Sequence, residues 1–348
     1  MRIRGAWRLR RVAERIASHL SQRAVILLYH RVAEAATDPW QLCVTPRHFT
    51  EHLEVLRKHG HLVSLQKLVE SLRNGNLPRR AVVITFDDGY ADNLINAKPI
   101  LEQYDAPATV FVTSGYVGHG REFWWDELDK LFLQPGALPE KLSLSLNGRV
   151  YDWDLGESAH YSEAAFQQHR HWRAWENGDS NPRHLVYHSL WQLMQPLPDA
   201  ERQKLREALI SWSGGEPAAR PTHRTLSRDE LSVLARGGLV EVGCHTVTHP
   251  ALSALPAESQ EQEILQSKAS LEEALGQGVT SFAYPYGRPC DYTQQTISFV
   301  REAGFSSACS TTASAVTRRA DRFQLPRIQV VDCDGDDFYN QLKSWLGD

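Results

Sequence analysis

Two kinds of segment alternate along the chain. Short runs with apolar residues on successive positions read as strands covered on both faces. They are AVILLYH (24–30), AVVITF (81–86), ATVFVT (108–113), LVEVGCHT (239–246), VTSFAYPYG (279–287), FSSACS (305–310) and RFQLPRIQVV (322–331). Between them lie helical patterns. One follows Thr45 as N-cap and Pro46 at N1 and stops at Gly60; a second spans 64–75 with the same signals. Others cover about 91–104, 227–238, 256–276 and 292–304. Strands alternating with helices predict a parallel sheet with helices outside it. The units suffice to close an α/β barrel of seven or eight parallel strands.

The texture changes between about 119 and 226. This stretch holds Trp124, Trp125, Trp153, Trp172, Trp175, Trp191 and Trp212, and KLSLSLNGRVYDWDL (141–155) alternates by twos around Asn147-Gly148, a hairpin signal. Polar helical stretches follow. The organisation expected is a first barrel part (24–118), a tryptophan-rich insertion (119–226) and a second barrel part (227–348), with a separate small domain as the alternative for the middle.

Composition adds limits. Net charge is −4 over 348 residues, which implies no global attraction to nucleic acid. The five cysteines are scattered, with no Cys-x-x-Cys pair, which argues against a disulfide framework or a cysteine-based zinc site. Residues 1–23 carry seven arginines against Glu14, with Trp7, Leu9, Val12, Ile16 and Leu20 at roughly helical spacing. This basic amphipathic helix either packs on the domain or lies on an anionic membrane surface. It has no continuous apolar h-region, and no run of about 18 apolar residues occurs elsewhere. The expectation is a cytoplasmic protein, peripheral at the inner membrane face if the helix docks there.

In parallel α/β architectures reactive residues sit at the carboxyl ends of strands. His30, Asp87-Asp88, His245 with His249, and Tyr286 all fall at such ends. HTVTHP spaces two imidazoles four apart, and Pro250 pushes His249 away from helical dihedrals, so a tight turn is expected. Two histidines and one carboxylate form a common three-ligand set for a catalytic metal. An ion would stabilise one of the adjacent aspartates in its ionised form and leave the other beside it as a general base. His184 and His188 repeat the spacing with no strand before them.

TFDDGY, HTVTHP and FAYPYG, in this order, resemble the polysaccharide deacetylase family of NodB-homology, carbohydrate esterase type; FAYPYG and the early Tyr29-His30 are closest in style to biofilm poly-N-acetylglucosamine deacetylases. The resemblance spans roughly 24–118 and 227–330. It implies a distorted (β/α) barrel, one divalent ion (zinc, with nickel or cobalt as alternatives) and hydrolysis of an acetyl group on a sugar. Carried over by motif, Asp87 resembles the general base, Asp88, His245 and His249 the metal ligands, and the Tyr286 N–H an oxyanion donor. Two departures stand out. Ala283 occupies the place of an arginine that would orient the base, and the late Leu-x-His motif is absent, with Arg327 in the late strand. His30 is the candidate general acid in its stead. Trp124, Trp125, Tyr284 and Arg327 are the candidate substrate-binding residues. The expected substrate is an N-acetylated sugar polymer or lipid-linked glycan; the alternatives are a catalytically impaired sugar-binding protein on the same fold, or an O-acetyl esterase.

Overall fold

The computed structural model describes residues 23–176, 178–215 and 218–347. The basic helix expected at 1–23 thus lies almost wholly outside the described residues. Eight parallel strands form one sheet: β1 (Ala24–Tyr29), β2 (His61–Leu62), β3 (Ala81–Phe86), β4 (Ala108–Val112), β5 (Val240–Cys244), β6 (Ser281–Ala283), β7 (Ser307–Cys309) and β8 (Ile328–Gln329). Seven run in the order β7-β6-β5-β4-β3-β1-β8, and β2 pairs with the start of β3. The two edges meet through one segment. Leu325 bridges to Cys309 of β7, and three residues later Ile328 pairs with Leu27 of β1. The late strand was expected to run through 322–331. Pro326 lacks the N–H that a continuous ladder needs, so it breaks into these two contacts. The result is the barrel that the alternating pattern predicts, in the distorted form that the resemblance implies.

Strand periodicity sorts the apolar residues into two layers. Val25, Leu27, Val82, Ile84, Phe86, Val110, Val112 and Phe282 pack under the surrounding helices. Their neighbours Ala24, Ile26, Val83, Phe111 and Ala283 form an inner cluster with Cys309 and Leu325. The helix Leu65–Arg73 adds Leu65, Leu68 and Val69 to that inner cluster. Both layers are fully buried, which is why these strands read as unbroken apolar runs.

Local signals behave as their chemistry dictates. Thr45 caps Pro46–His59, Ser64 caps Leu65–Arg73, and Ser227 with Glu230 forms a capping box on Arg228–Ala235. The helix expected from 91 to 104 differs: a π-turn spans Asn93–Ala97 before the α-helix Lys98–Gln103. Pro99 cannot donate to a preceding carbonyl. Asn93 and Asn96 meanwhile donate their side-chain amides to the carbonyls of His30 and Val32, tying this wide turn to the end of β1.

The middle stretch has its own core of Trp124, Trp125, Leu128, Phe132, Trp172, Tyr187, Leu190 and others. Its hairpin pairs Lys141–Leu146 with Arg149–Asp154, turning at Asn147 and Gly148, both at positive φ. No helix among the described residues is long and apolar enough to cross a membrane.

Candidate active site

Four loops at the carboxyl ends of the strands converge on one cleft of about 400 Å³, lined among others by His30, Asp87, Asp88, His245, His249 and Tyr286. Asp88 Oδ1 lies 3.6 Å from His245 Nε2 and 3.4 Å from His249 Nε2. Three donors about 2.1 Å from one ion in tetrahedral array stand about 3.4 Å apart. All three ligand atoms fall within 4.8 Å of one another, and all three residues are buried. Asp88 Oδ1 has no hydrogen-bond partner although it is buried. An orphaned carboxylate oxygen between two imidazole nitrogens is the arrangement that a divalent cation satisfies, so these residues fit one.

The ring orientations agree. His245 Nδ1 lies 2.8 Å from the Ala283 carbonyl, which can only accept, so Nδ1 carries the proton and Nε2 offers its lone pair. Burial, partly opposed by Asp87, lowers the His245 pKa; burial and the neighbouring His245 hold His249 well below its ordinary value. Both rings are thus neutral, as ligands must be. Burial, and next the charge of Asp87, push the Asp88 carboxyl well up, a cost that a bound cation removes.

The backbone here is strained. Asp88, Thr246, His249 and Tyr286 all have positive φ, between 56° and 76°. Such residues cost of order 1–3 kcal/mol each and persist only when their surroundings impose them. The turn expected at His249 is present, and three groups impose it. Thr246 Oγ1 accepts the His249 N–H at 3.1 Å. Glu263, on the helix Ala257–Leu275, accepts the N–H groups of Val247 and Thr248 at 2.8 and 2.9 Å. Arg202, on Asp199–Ser213 of the middle stretch, donates to the carbonyls of His249 and Thr248 at 3.1 and 2.7 Å. Neither Glu263 nor Arg202 is legible in sequence. Each sits in an ordinary charged helix and reaches the turn only through the fold.

Asp87 is held differently. Arg327 Nη1 and Nη2 donate to its two oxygens, each at 2.7 Å, and Arg327 is fully buried. Burial acts to raise the Asp87 pKa, but the Arg327 guanidinium and His245 outweigh it, and the carboxyl sits below its ordinary value. This corrects the assignment of Arg327 to substrate binding. It also fills the gap noted at Ala283. Ala283 belongs to the inner cluster, where its small side chain leaves room, and Arg327 lies over the Phe111 ring of the same cluster while donating to Ser310 and Thr85.

Two further assignments change. Tyr284 is fully buried, stacks on Tyr292 at 4.1 Å and donates its hydroxyl to the Phe323 carbonyl, so it packs the core rather than contacting substrate. Trp124 faces an adjacent apolar cavity with Leu128 and Leu209, away from the cleft; Trp125 lines the cleft, 4.9 Å from the His249 ring. Neighbours on a helix diverge by about 100°, so only one of the pair can face the site. Three tryptophans that sequence reasoning did not single out, Trp40, Trp175 and Trp191, also line it. His184 stacks on Trp172 at 4.2 Å, far from any ligand role.

Tyr286 is the centre of a tight turn in which the Gly287 N–H donates to the Pro285 carbonyl. Among the described residues nothing accepts the Tyr286 N–H, so it is free for a ligand. His30 lines the cleft, and burial, ahead of the opposing effect of Asp87, lowers its pKa to about 4.

The model of the polysaccharide deacetylase family matches residues 74–138 and 208–308, in two parts that skip the hairpin and the helices after it. Staphylococcus aureus poly-β-1,6-N-acetyl-D-glucosamine N-deacetylase is 31% identical over 108 residues, 27% of this chain and 37% of that enzyme. The matched part is thus well under half of that relative. YxkH of Bacillus subtilis is 19% identical over 307 residues, 88% of this chain and 70% of that one. Among solved structures, IcaB of Ammonifex degensii superposes with a TM-score of 0.57 at 21% identity, covering 94% of this chain and 98% of that one. The Streptococcus pyogenes deacetylase PplD, solved with acetate, gives 0.56 at 18%, covering 92% and 98%. Over residues 74–138 and 208–308, which hold Asp87, Asp88, His245, His249 and Tyr286, the chain is a match to the polysaccharide deacetylase family.

Proposed function

We propose that the chain is a metal-dependent hydrolase that removes N-acetyl groups from an N-acetylglucosamine polymer. The observation that carries this reading is the pairing of two differently treated aspartates in one cleft. Asp88 stands orphaned between His245 and His249, while Asp87, one residue earlier, is fixed and kept ionised by Arg327. The staphylococcal relative, which deacetylates poly-β-1,6-N-acetylglucosamine, supports the substrate class.

Asp88, His245 and His249 would hold the ion; zinc suits a two-imidazole, one-carboxylate set, and nickel or cobalt accept the same donors. A bound ion supplies Lewis-acid polarisation of the acetyl carbonyl and eases deprotonation of water. Asp87, anionic at neutral pH and aimed by two hydrogen bonds, accepts the proton of the attacking water. The unpaired Tyr286 N–H donates to the oxygen that gains charge, the kind of preorganised donor whose removal typically costs about 10²–10³ in rate. His30 serves the departing nitrogen. With a pKa lowered to about 4 by burial, it is neutral in the resting site. The charge developing on the carbonyl oxygen favours the imidazolium as the reaction proceeds, so His30 takes up the proton that Asp87 drew from the water and passes it to the departing amine, which leaves Asp87 ionised again. Acetate and an amino sugar leave.

The test is acetate release from β-1,6-linked N-acetylglucosamine oligomers and from lipid-linked N-acetyl sugars, before and after chelation and zinc add-back. Turnover should vanish on chelation and return with zinc, and Asp87→Asn should keep its metal while losing about 10²–10⁴ in rate. Saturable binding without acetate release would instead identify a sugar-binding protein, and release from O-acetylated sugars alone an esterase. Either result would overturn the proposal.

A further inference from the structure

The aromatic lining of the cleft extends well beyond the reacting centre. The His249 ring meets Tyr286 at 4.8 Å, Tyr286 meets Trp191 at 6.1 Å, Trp191 meets Trp40 at 4.3 Å and Trp40 meets Trp175 at 5.6 Å. Trp191 and Trp175 belong to the part of the chain that the family model skips. Trp175 keeps 49% of its surface in water, whereas Trp124, Trp125 and Trp172 are buried. An exposed indole continuous with a cleft leaves apolar area that a ligand can cover.

The outer rings are held in place without substrate. Trp40 donates its Nε1–H to the buried Tyr187 hydroxyl at 2.6 Å. The Ala174 N–H donates to the Pro39 carbonyl at 3.1 Å, and Arg173 Nη1 donates to the Asp38 carbonyl at 3.2 Å. These bonds dock the turn carrying Trp175 against the loop carrying Trp40. The remaining lining supplies polar groups, among them Arg288, Thr311 and Gln329. Aromatic faces beside hydrogen-bonding side chains suit a pyranose, which has apolar C–H faces and a rim of hydroxyls.

From this arrangement we infer that Trp40, Trp175 and Trp191 form an outer subsite that stacks sugar units adjacent to the one being deacetylated, so that the chain acts on oligomers in preference to a single sugar. The inference rests on the deacetylase reading for the identity of the ligand. Two rings stand between Trp175 and Tyr286, so a unit whose acetyl group lies at Asp88, His245 and His249 leaves Trp175 to a neighbouring unit. Tethering by that neighbour lowers KM without touching the chemistry.

The experiment compares wild type, Trp175→Ala and Trp175→Phe on β-1,6-linked N-acetylglucosamine oligomers of one to five units. Trp175 is half in water, so both variants should fold as wild type does. Wild-type KM should fall as the oligomer lengthens. Trp175→Ala should raise KM about tenfold for the longer oligomers, leave kcat and the monosaccharide unchanged, and Trp175→Phe should restore most of the loss. A uniform KM across lengths, or a Trp175→Ala variant indistinguishable from wild type on the pentamer, would overturn the inference while leaving the deacetylase reading intact. Should wild type release no acetate at all, that reading falls by itself. Quenching of tryptophan fluorescence by the pentamer, stronger in wild type than in Trp175→Ala, would still support the subsite, and equal quenching would end it.

Discussion

Replacing Arg327 by methionine isolates the group that keeps Asp87 ready to accept a proton. The guanidinium is fully buried, the Asp87 side chain is 5% exposed, and two hydrogen bonds of 2.7 Å join them. Breaking a buried pair by removing one partner costs about 3–5 kcal/mol, because the surviving charge is left uncompensated. The folded pKa of Asp87 lies below its ordinary value, so its contribution to stability is present above about pH 4 and is lost as pH falls through the folded value. In Arg327→Met the sign reverses. Burial is then opposed only by the weaker pull of His245 and His30, the carboxyl rises above its ordinary value, and the variant loses stability as pH increases through that raised value. The acid limb of kcat/KM should move to higher pH with it. The base also loses its aim, and a misplacement on this scale costs about 10²-fold in kcat/KM at neutral pH. Arg327→Lys keeps a charge but not the two-pronged fork, so it should fall between. Urea titrations at pH 5 and 8 read the stability, and acetate release from pH 5 to 9 reads the limb. An Arg327→Met protein with the wild-type urea midpoint and an unmoved acid limb would refute this account of Asp87.

Arg202→Ala should leave the Thr248 and His249 carbonyls without their donor and weaken zinc binding about 10–100-fold by calorimetry; wild-type affinity would mean the ligand turn needs no such support. His30→Ala should lower kcat by about 10²–10⁴ with metal content unchanged, and an unaltered kcat would remove it from the chemistry. Gly243→Ala puts a methyl group 2.4 Å and 2.6 Å from Phe111 ring atoms and 2.8 Å from Ser281 Oγ, inside the barrel just before His245. It should destabilise the fold by about 1–3 kcal/mol in urea, and an unchanged midpoint would show that the barrel interior yields there.

What could be read from sequence was what is local in the chain. Asp87 with Asp88, and His245 with His249, lie within a few residues of each other and after apolar runs, so strand-end logic places them together without knowledge of the fold. Asn147-Gly148 and the Thr45-Pro46 start are legible for the same reason: backbone geometry makes their chemistry local. Arg327 was misassigned because its partner, Asp87, is 240 positions away and the pair meets only inside a closed barrel. Tyr284 and Tyr286 differ in role because the strand ends at Ala283 and the positive φ of Tyr286 turns the chain; the first packs into the core and the second lies in a strained turn. Trp124 and Trp125 part because successive residues on a helix diverge by about 100°. Trp40 reaches the cleft from a loop with no periodicity, so no pattern marks it, and its role emerges only once Trp175 and Trp191 are packed beside it.

The most direct measurement is an anomalous-diffraction map of crystals of the full chain grown with zinc, collected on both sides of the zinc edge. One peak per chain should lie between Asp88 Oδ1, His245 Nε2 and His249 Nε2, with Asp87 still paired to Arg327, and it should be missing from Asp88→Asn crystals. A peak coordinated by Asp87 instead, or no peak at this cleft in zinc-grown wild-type crystals, would contradict the division of labour between the two aspartates.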